Sequence, residues 1–199
     1  MSRAQSMEKI ARKVRVCVKC PLWQGRRNAV PGEGNIEAAV MFVGEAPGYW
    51  EDVKGLPFVG AAGKVLDELL ERITLLRGNV FITNIVKCRP PKNRDPRLLE
   101  VTTCTSLYLN RQVSLIQPEI IVTLGRHSTA YIFSEAGLEK VENITEFRGK
   151  VFEVSFLGFS VSVFPMYHPA SVLHNPRYRD KLEGDFRLLK AELKKRQIL

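Results

Sequence analysis

Residues 38–48, Ala38-Ala39-Val40-Met41-Phe42-Val43-Gly44-Glu45-Ala46-Pro47-Gly48, run from an unbroken apolar stretch into a turn built on glycine and proline. Ala38 to Val43 predicts a buried strand that feeds a loop at Gly44. Working outward, Val65, Leu66, Leu69, Leu70 and Ile73 recur at helical spacing and predict an amphipathic helix over 61–76. Val80-Phe81-Ile82-Thr83-Asn84-Ile85 is rich in β-formers and predicts a second strand. A long helix is expected over 97–116, stopped before Pro118. A third strand follows at Glu119 to Leu124, then a helix over about 126–136 after Gly125. Residues 148–165 read as a hairpin whose second arm, Ser160 to Phe164, is a further strand, and a charged helix is expected over about 180–196.

Strands separated by helical crossovers imply an α/β protein with a parallel sheet and helices on both faces. Ligands of such sheets bind beyond the carboxyl ends of the strands. That rule selects Gly44 to Gly48, Asn84 and His168, so three loops should converge on one crevice. With 199 residues, no repeat and no long linker, a single domain over 1–199 is expected, with residues 1–35 as an appendage to the sheet. No stretch approaches the ~18 consecutive apolar residues of a membrane helix. The first residues also lack the apolar core of a secretory signal, so a soluble, cytoplasmic protein is expected.

Thirty Lys and Arg against 21 Asp and Glu give a net charge of +9, which points to a polyanionic partner. The excess is uneven. Residues 1–27 hold eight cations against Glu8 alone, and residues 86–97 hold Lys87, Arg89, Lys92, Arg94 and Arg97 against Asp95 alone. Trp23 and Pro21, Pro90 and Pro91 interleave with these cations, which favours a shaped nucleic-acid surface over a merely solvated face.

Cys17 and Cys20 form C-x2-C, and fifteen residues separate Cys88 from Cys104. A domain of this size needs no disulfide staples. Two thiolates on a tight loop are half a tetrahedral ligand set, and two cysteines remain to complete it. Zinc and a [4Fe–4S] cluster both accept four thiolates, and spacing does not separate them. With four protein ligands no position is open for chemistry, so a structural role is expected, holding two basic segments in register.

The loop after the first strand is not G-x-G-x-x-G, and no Walker lysine motif occurs, so dinucleotide or nucleoside triphosphate binding has little support. Each of Glu51, Phe58, Asn84 and His168 has a bland explanation alone, in a turn or a core. Together they predict a pocket with a stacking ring, an amide that reads two atoms, an imidazole and loop N–H groups. Such a pocket suits a planar heterocycle with a donor–acceptor edge.

These residues, in order, resemble the family 4 uracil-DNA glycosylases, the iron–sulfur branch. The resemblance rests on Cys17-x2-Cys20, Gly44-Glu45-Ala46-Pro47-Gly48, Pro57-Phe58-Val59-Gly60, Ile82 to Pro91 with Asn93-Arg94, Cys104 and His168-Pro169-Ala170. It covers nearly the whole chain. It implies a three-layer α/β/α fold with a central four-stranded parallel sheet, and a [4Fe–4S] cluster on Cys17, Cys20, Cys88 and Cys104 tying residues 1–35 to the body. The implied reaction is hydrolysis of the N-glycosidic bond of deoxyuridine in single- or double-stranded DNA, which frees uracil and leaves an abasic site in base excision repair. Phe58 would stack on the flipped base, Asn84 would read its N3–H and O4, and His168 would donate toward O2. Gly44, Glu45 and Ala46 would line the base, with the Glu45 and Ala46 amides forming an anion hole.

Where better-known uracil glycosylases carry a water-positioning Asp, this chain has Ala46, which leaves Glu45, Glu51 and Asn93 as candidates. Glu51 is also expected to stand by the uracil C5 edge and to obstruct a thymine methyl. Leu173 is expected to wedge into the space vacated by the flipped base, with Arg177, Lys87, Arg89 and Arg94 on phosphate. His127 and His174 are expected to be structural or solvent-facing. The enzyme is expected to act as a monomer, away from membranes, and no motif identifies a replication or repair protein as partner. Two other readings compete: a glycosylase of broader specificity, and a non-catalytic iron–sulfur nucleic-acid-binding module. Broader relatives resemble Gly-Leu-Ala-Pro-Ala in the first loop, whereas this chain has Glu45. The module has no need of Phe58, Asn84 and His168 together.

Overall fold

The computed structural model describes residues 2–199. Its strands are β1 (Glu33–Gly34), β2 (Val40–Gly44), β3 (Phe81–Asn84), β4 (Ile120–Leu124), β5 (Phe152–Phe156) and β6 (Phe159–Met166). Its α-helices are α1 (Arg3–Arg15), α2 (Tyr49–Lys54), α3 (Ala61–Arg72), α4 (Leu98–Cys104), α5 (Asn110–Ile116), α6 (Arg126–Glu135), α7 (Ala170–His174) and α8 (Tyr178–Lys195). The sheet order is β1-β3-β2-β4-β6-β5.

The four inner strands, β3-β2-β4-β6, are parallel, and they are the four-stranded sheet expected from the sequence. The sheet is wider than that by one antiparallel strand at each edge, β1 on β3 and β5 on β6. Both additions are local. Gly34 lets the chain pass so close to β3 that a Cβ there would collide with the Val80 carbonyl, and the β5–β6 hairpin turns at Leu157 and Gly158, both at positive φ.

Alternation along β2 explains the layers. Met41 and Val43 pack into one core with Val14, Val113 and Phe133, from α1, α5 and α6. Val40 and Phe42 pack into the other with Leu66, Leu70, Phe186 and Leu189, from α3 and α8. A strand buried on both faces needs helices on both sides, and the α/β/α sandwich follows.

The long helix expected over 97–116 is not uniform. A π-helical turn, Thr105–Leu109, separates α4 from α5 immediately after Cys104. Such widened turns concentrate at functional positions, and here it falls beside one of the four cysteines.

Candidate active site and cysteine cavity

The loops after β2, β3 and β6 meet at one end of the sheet, as parallel topology requires. They enclose a crevice of about 430 Å³ whose walls include Glu45, Ala46, Gly48, Glu51, Phe58, Asn84, Asn93, Arg94, His168 and His174. Gly44 makes this convergence possible: a Cβ there would run into Asn84 Oδ1 and the Phe58 ring.

Phe58 holds its ring in the crevice at a backbone φ of 49°, which is unfavourable for a residue with a side chain. The surroundings over-determine it. Glu51 Oε1 accepts from the amides of Val59 and Gly60 at 2.8 Å each, and its Oε2 accepts from the Gly48 amide at 3.1 Å. Arg77 donates to the Pro57 carbonyl, and a Cβ on Gly63 would collide with the Phe58 carbonyl. Glu51 therefore ties the first loop to the Phe58 loop, with both of its oxygens engaged.

Asn84 is buried, and its Oδ1 has no hydrogen-bond partner. A buried amide oxygen without a donor costs about 1–3 kcal/mol, so this atom is poised for a ligand N–H. The Phe58 and His168 rings stand 5.6 Å apart at an interplanar angle of 28°. His168 Nδ1 accepts from the Ala170 amide at 3.1 Å, which leaves the proton of the neutral ring on Nε2. Burial pushes the His168 pKa down to about 4, against an opposing pull from Glu51, so the imidazole is a neutral donor at pH 7.

Glu45 reaches the crevice with a partly buried carboxyl whose pKa is raised by burial, with His127 opposing. His127 Nε2 stands 3.8 Å from Glu45 Oε2 and 3.0 Å from Asp95 Oδ2. His127 is thus partly buried in a charged cluster at the rim, and His174 lines the crevice. Both fit the structural or solvent-facing roles expected, His174 being exposed and His127 paired with Asp95, and the structure adds that each lies close to the crevice. A lone histidine in a helical stretch carries no signal for either placement, because the partners come from distant loops.

The basic residues divide. Lys87, expected on phosphate, is 1% exposed, and its Nζ donates to Gln112 Oε1 at 2.7 Å and to the Asn84 carbonyl at 2.8 Å, with Thr83 Oγ1 also in reach. It follows β3 in a stretch buried from Phe81 to Cys88 and turns inward, where it fixes the backbone of Asn84 rather than meeting DNA. Arg94 forms a two-toothed pair with Glu100, at 2.6 and 2.9 Å, so its guanidinium is engaged internally at the start of α4. Arg89 and Arg177 remain at the surface side. Arg89 Nε donates to Asn93 Oδ1 at 2.8 Å, which occupies the Asn93 oxygen. Leu173 is 51% exposed on α7, just beyond His168.

On the other side of the segment after β3, Cys17, Cys20, Cys88 and Cys104 line a single small cavity with Trp23, Arg26 and Tyr108. Arg26 Nη1 donates to Cys88 Sγ at 3.0 Å, and the Lys87 amide donates to Cys104 Sγ at 3.3 Å. Burial pushes the Cys104 thiol up to about 12 and also raises Cys88 and Cys20. Four sulfurs facing one space, two of them already accepting N–H donors, are a donor set that fits a metal centre with four thiolate ligands.

Residues 31–193 match the family model of the uracil DNA glycosylase superfamily. The chain is 53% identical over 194 residues to the type-4 uracil-DNA glycosylase of Saccharolobus solfataricus, covering 97% of this chain and 89% of that protein. It is 56% identical over 186 residues to the type-4 enzyme of Sulfurisphaera tokodaii, covering 93% and 84%, and 49% identical over 183 residues to that of Archaeoglobus fulgidus, covering 92% and 91%.

Proposed function

The chain belongs to the uracil DNA glycosylase superfamily, and from that premise we propose how its crevice removes uracil from DNA. The enzyme is a uracil-DNA glycosylase: it hydrolyses the N-glycosidic bond of deoxyuridine and leaves an abasic site. The observation that carries the mechanism is the unpartnered Asn84 Oδ1 facing a crevice walled by Phe58 and His168.

The flipped uracil stacks on Phe58, donates N3–H to Asn84 Oδ1 and accepts at O4 from the Asn84 amide nitrogen. Cytosine has no N3–H and offers an amino donor in place of O4, so both contacts mispair. As the N1–C1′ bond breaks, its electron pair passes to the uracil ring and is spread onto O2. Neutral His168 donates there from Nε2, assisted by the Glu45 and Ala46 amides. Water adds to the oxocarbenium-like C1′, and the proton it loses passes through solvent to the uracil anion, giving free uracil. Glu51 and Asn93 have their oxygens engaged by backbone and Arg89 donors, so Glu45 is the group left to hold that water. Arg89 and Arg177 contact phosphate, and Leu173 fills the vacated stack.

Residues 1–199 act as one domain, and Cys17, Cys20, Cys88 and Cys104 would hold a [4Fe–4S] cluster. When bound, the cluster supplies a four-thiolate cross-link between the segment around α1 and the loop after β3. No helix of residues 2–199 is long and apolar enough to cross a membrane, and a monomer acting on uracil-containing DNA is the working unit.

The test is release of free base from matched oligonucleotides carrying one uracil, cytosine, thymine or hypoxanthine. Release from uracil alone, lowered about 10²- to 10³-fold in Asn84→Ala and in His168→Ala, is the expected result. Release from several bases would move the protein to the broader branch, and DNA binding without release would favour the non-catalytic module. Glu51→Ala should admit thymine while lowering uracil release, because it also frees the Gly48, Val59 and Gly60 amides that hold the Phe58 loop. If it gains none, the C5 edge is guarded by another group.

A further inference from the structure

At the Gly48 edge of the crevice, α2 opens with two exposed aromatic residues. Tyr49 is 44% and Trp50 53% exposed, and their rings meet edge to face at 5.2 Å and 81°. Two guanidinium groups lie over the Tyr49 ring, Arg89 at 5.2 Å and Arg27 at 5.7 Å from its centre. The group adjoins the crevice on two sides. Trp50 leans on Gly60, where a Cβ would sit 3.4 Å from the indole Cδ1, and Gly60 is held by Glu51 of the crevice wall. Arg89 is bonded to Asn93, which is also part of that wall.

An indole left half in water, against a Tyr49 ring that carries two arginines, is useful as a ligand surface. Every base has a π-face, and aromatic side chains flanked by cations bind single-stranded nucleic acid with little regard to sequence. A base in a duplex is already stacked on its neighbours and gains less from such a ring. We propose that Trp50, with Tyr49, Arg27 and Arg89 beside it, is a stacking subsite for an unpaired nucleobase next to the flipped uridine in single-stranded DNA. The indole takes the base, and the two guanidiniums take the adjoining phosphates. The inference rests on the glycosylase reading above and adds a second base-binding position to it.

The test pairs protein and substrate changes. Uracil release is measured on single-stranded oligonucleotides with all bases present, and with an abasic analogue at each position beside the uridine in turn. Trp50→Ala should raise KM on the full oligonucleotide about tenfold with kcat unchanged, and Trp50→Phe should retain most of the affinity. At one neighbouring position, removing the base should cost the wild type the same factor and cost Trp50→Ala nothing further. Losses that simply multiply at every position, or an unchanged KM in Trp50→Ala, would overturn the subsite. A wild type that releases no uracil from any oligonucleotide would instead sink the glycosylase reading. A second readout does not depend on the folding of Trp50→Ala. The chain has two tryptophans, so in Trp23→Phe the fluorescence reports Trp50 alone. Single-stranded DNA should quench it, and the oligonucleotide lacking the stacking base should not.

Discussion

The crevice and the cysteine cavity share one stretch of chain, from Thr83 to Arg94, and treat their polar atoms in opposite ways. On the crevice side Asn84 Oδ1 is left without a donor, Phe58 is held at a positive φ and His168 is kept neutral. On the cavity side sulfur atoms accept N–H groups from Arg26 and Lys87, and the Lys87 amine is wholly enclosed by acceptors. An incomplete set of partners marks the surface that meets a transient ligand. A saturated set marks the part that holds the first in place. The same dozen residues can serve both because Asn84, at the end of β3, lines the crevice while Cys88, four residues on, lines the cysteine cavity.

The comparison breaks most severely if the cavity is emptied of its ligands. Cys88→Ser or Cys104→Ser leaves three thiols around the cavity, with Arg26, which donates to both Cys88 Sγ and the Arg15 carbonyl, as a remaining link between α1 and the loop after β3. On the proposed four-thiolate cluster, the wild type should carry iron and each variant should lose it, with a fall in stability of several kcal/mol and near-complete loss of uracil release. Iron analysis with thermal melts checks this. A variant that keeps full stability without iron would show that packing alone aligns the segments.

Next in size is Lys87, which stands between the two regions. Lys87→Met removes the donor to Gln112 Oε1 and the Asn84 carbonyl and leaves those acceptors buried and unpaired, at about 1–3 kcal/mol each. Stability and kcat should both fall. The dependence of DNA binding on salt should stay as in the wild type, because no phosphate contact is lost. Arg89→Gln should do the reverse, reducing the salt slope by about one with little change in stability. A reduced slope in Lys87→Met would return that amine to the DNA surface.

The neutrality of His168 can be read from stability alone. Its folded pKa of about 4 lies below the ordinary 6.5, so between those values the unfolded chain binds a proton that the folded chain refuses. Stability from this group is complete above pH 6.5 and is lost as the pH falls toward 4. The loss amounts to about 3 kcal/mol at ~1.4 kcal/mol per unit. Urea melts at several pH values should show the wild type losing this increment relative to His168→Gln, which has no titrating ring. Equal slopes would mean the imidazole is freely solvated.

Much of this was legible in the sequence because it depends on local pattern. The apolar run at Val40 to Val43 has no period, which requires cover on both faces, and the glycines at 44, 48 and 60 mark where loops approach closely. Asn84 and His168 could be placed because the ends of parallel strands coincide. The direction of Lys87 could not be read, since its fate depends on Gln112, twenty-five residues away in α5. Arg94 was similarly hidden: its pairing with Glu100 follows from the way α4 begins. The sequence showed a basic segment, and only folding decides which of its charges reach water. The edge strand β1 escaped for another reason, that two residues carry little signal, whereas β5 is the first arm of the hairpin expected over 148–165.

The smallest expected effect concerns Leu173, where the two regions no longer compete and the question is only whether an exposed apolar side chain has work outside the fold. It is half exposed on a five-residue helix that follows His168 directly. In duplex DNA the flipped uridine leaves a gap between stacked neighbours, and an apolar wedge lowers the cost of keeping it open. In a single strand there is no gap to fill. Leu173→Ala should therefore reduce kcat/KM on duplex uracil DNA several-fold, leave single-stranded activity nearly unchanged and alter stability by less than about 0.5 kcal/mol. Equal losses on both substrates would mean that Leu173 acts by positioning α7 and His168. The pair of ratios, duplex to single strand for Leu173→Ala and the reverse for Trp50→Ala, would then show whether the two rims of the crevice serve different forms of DNA.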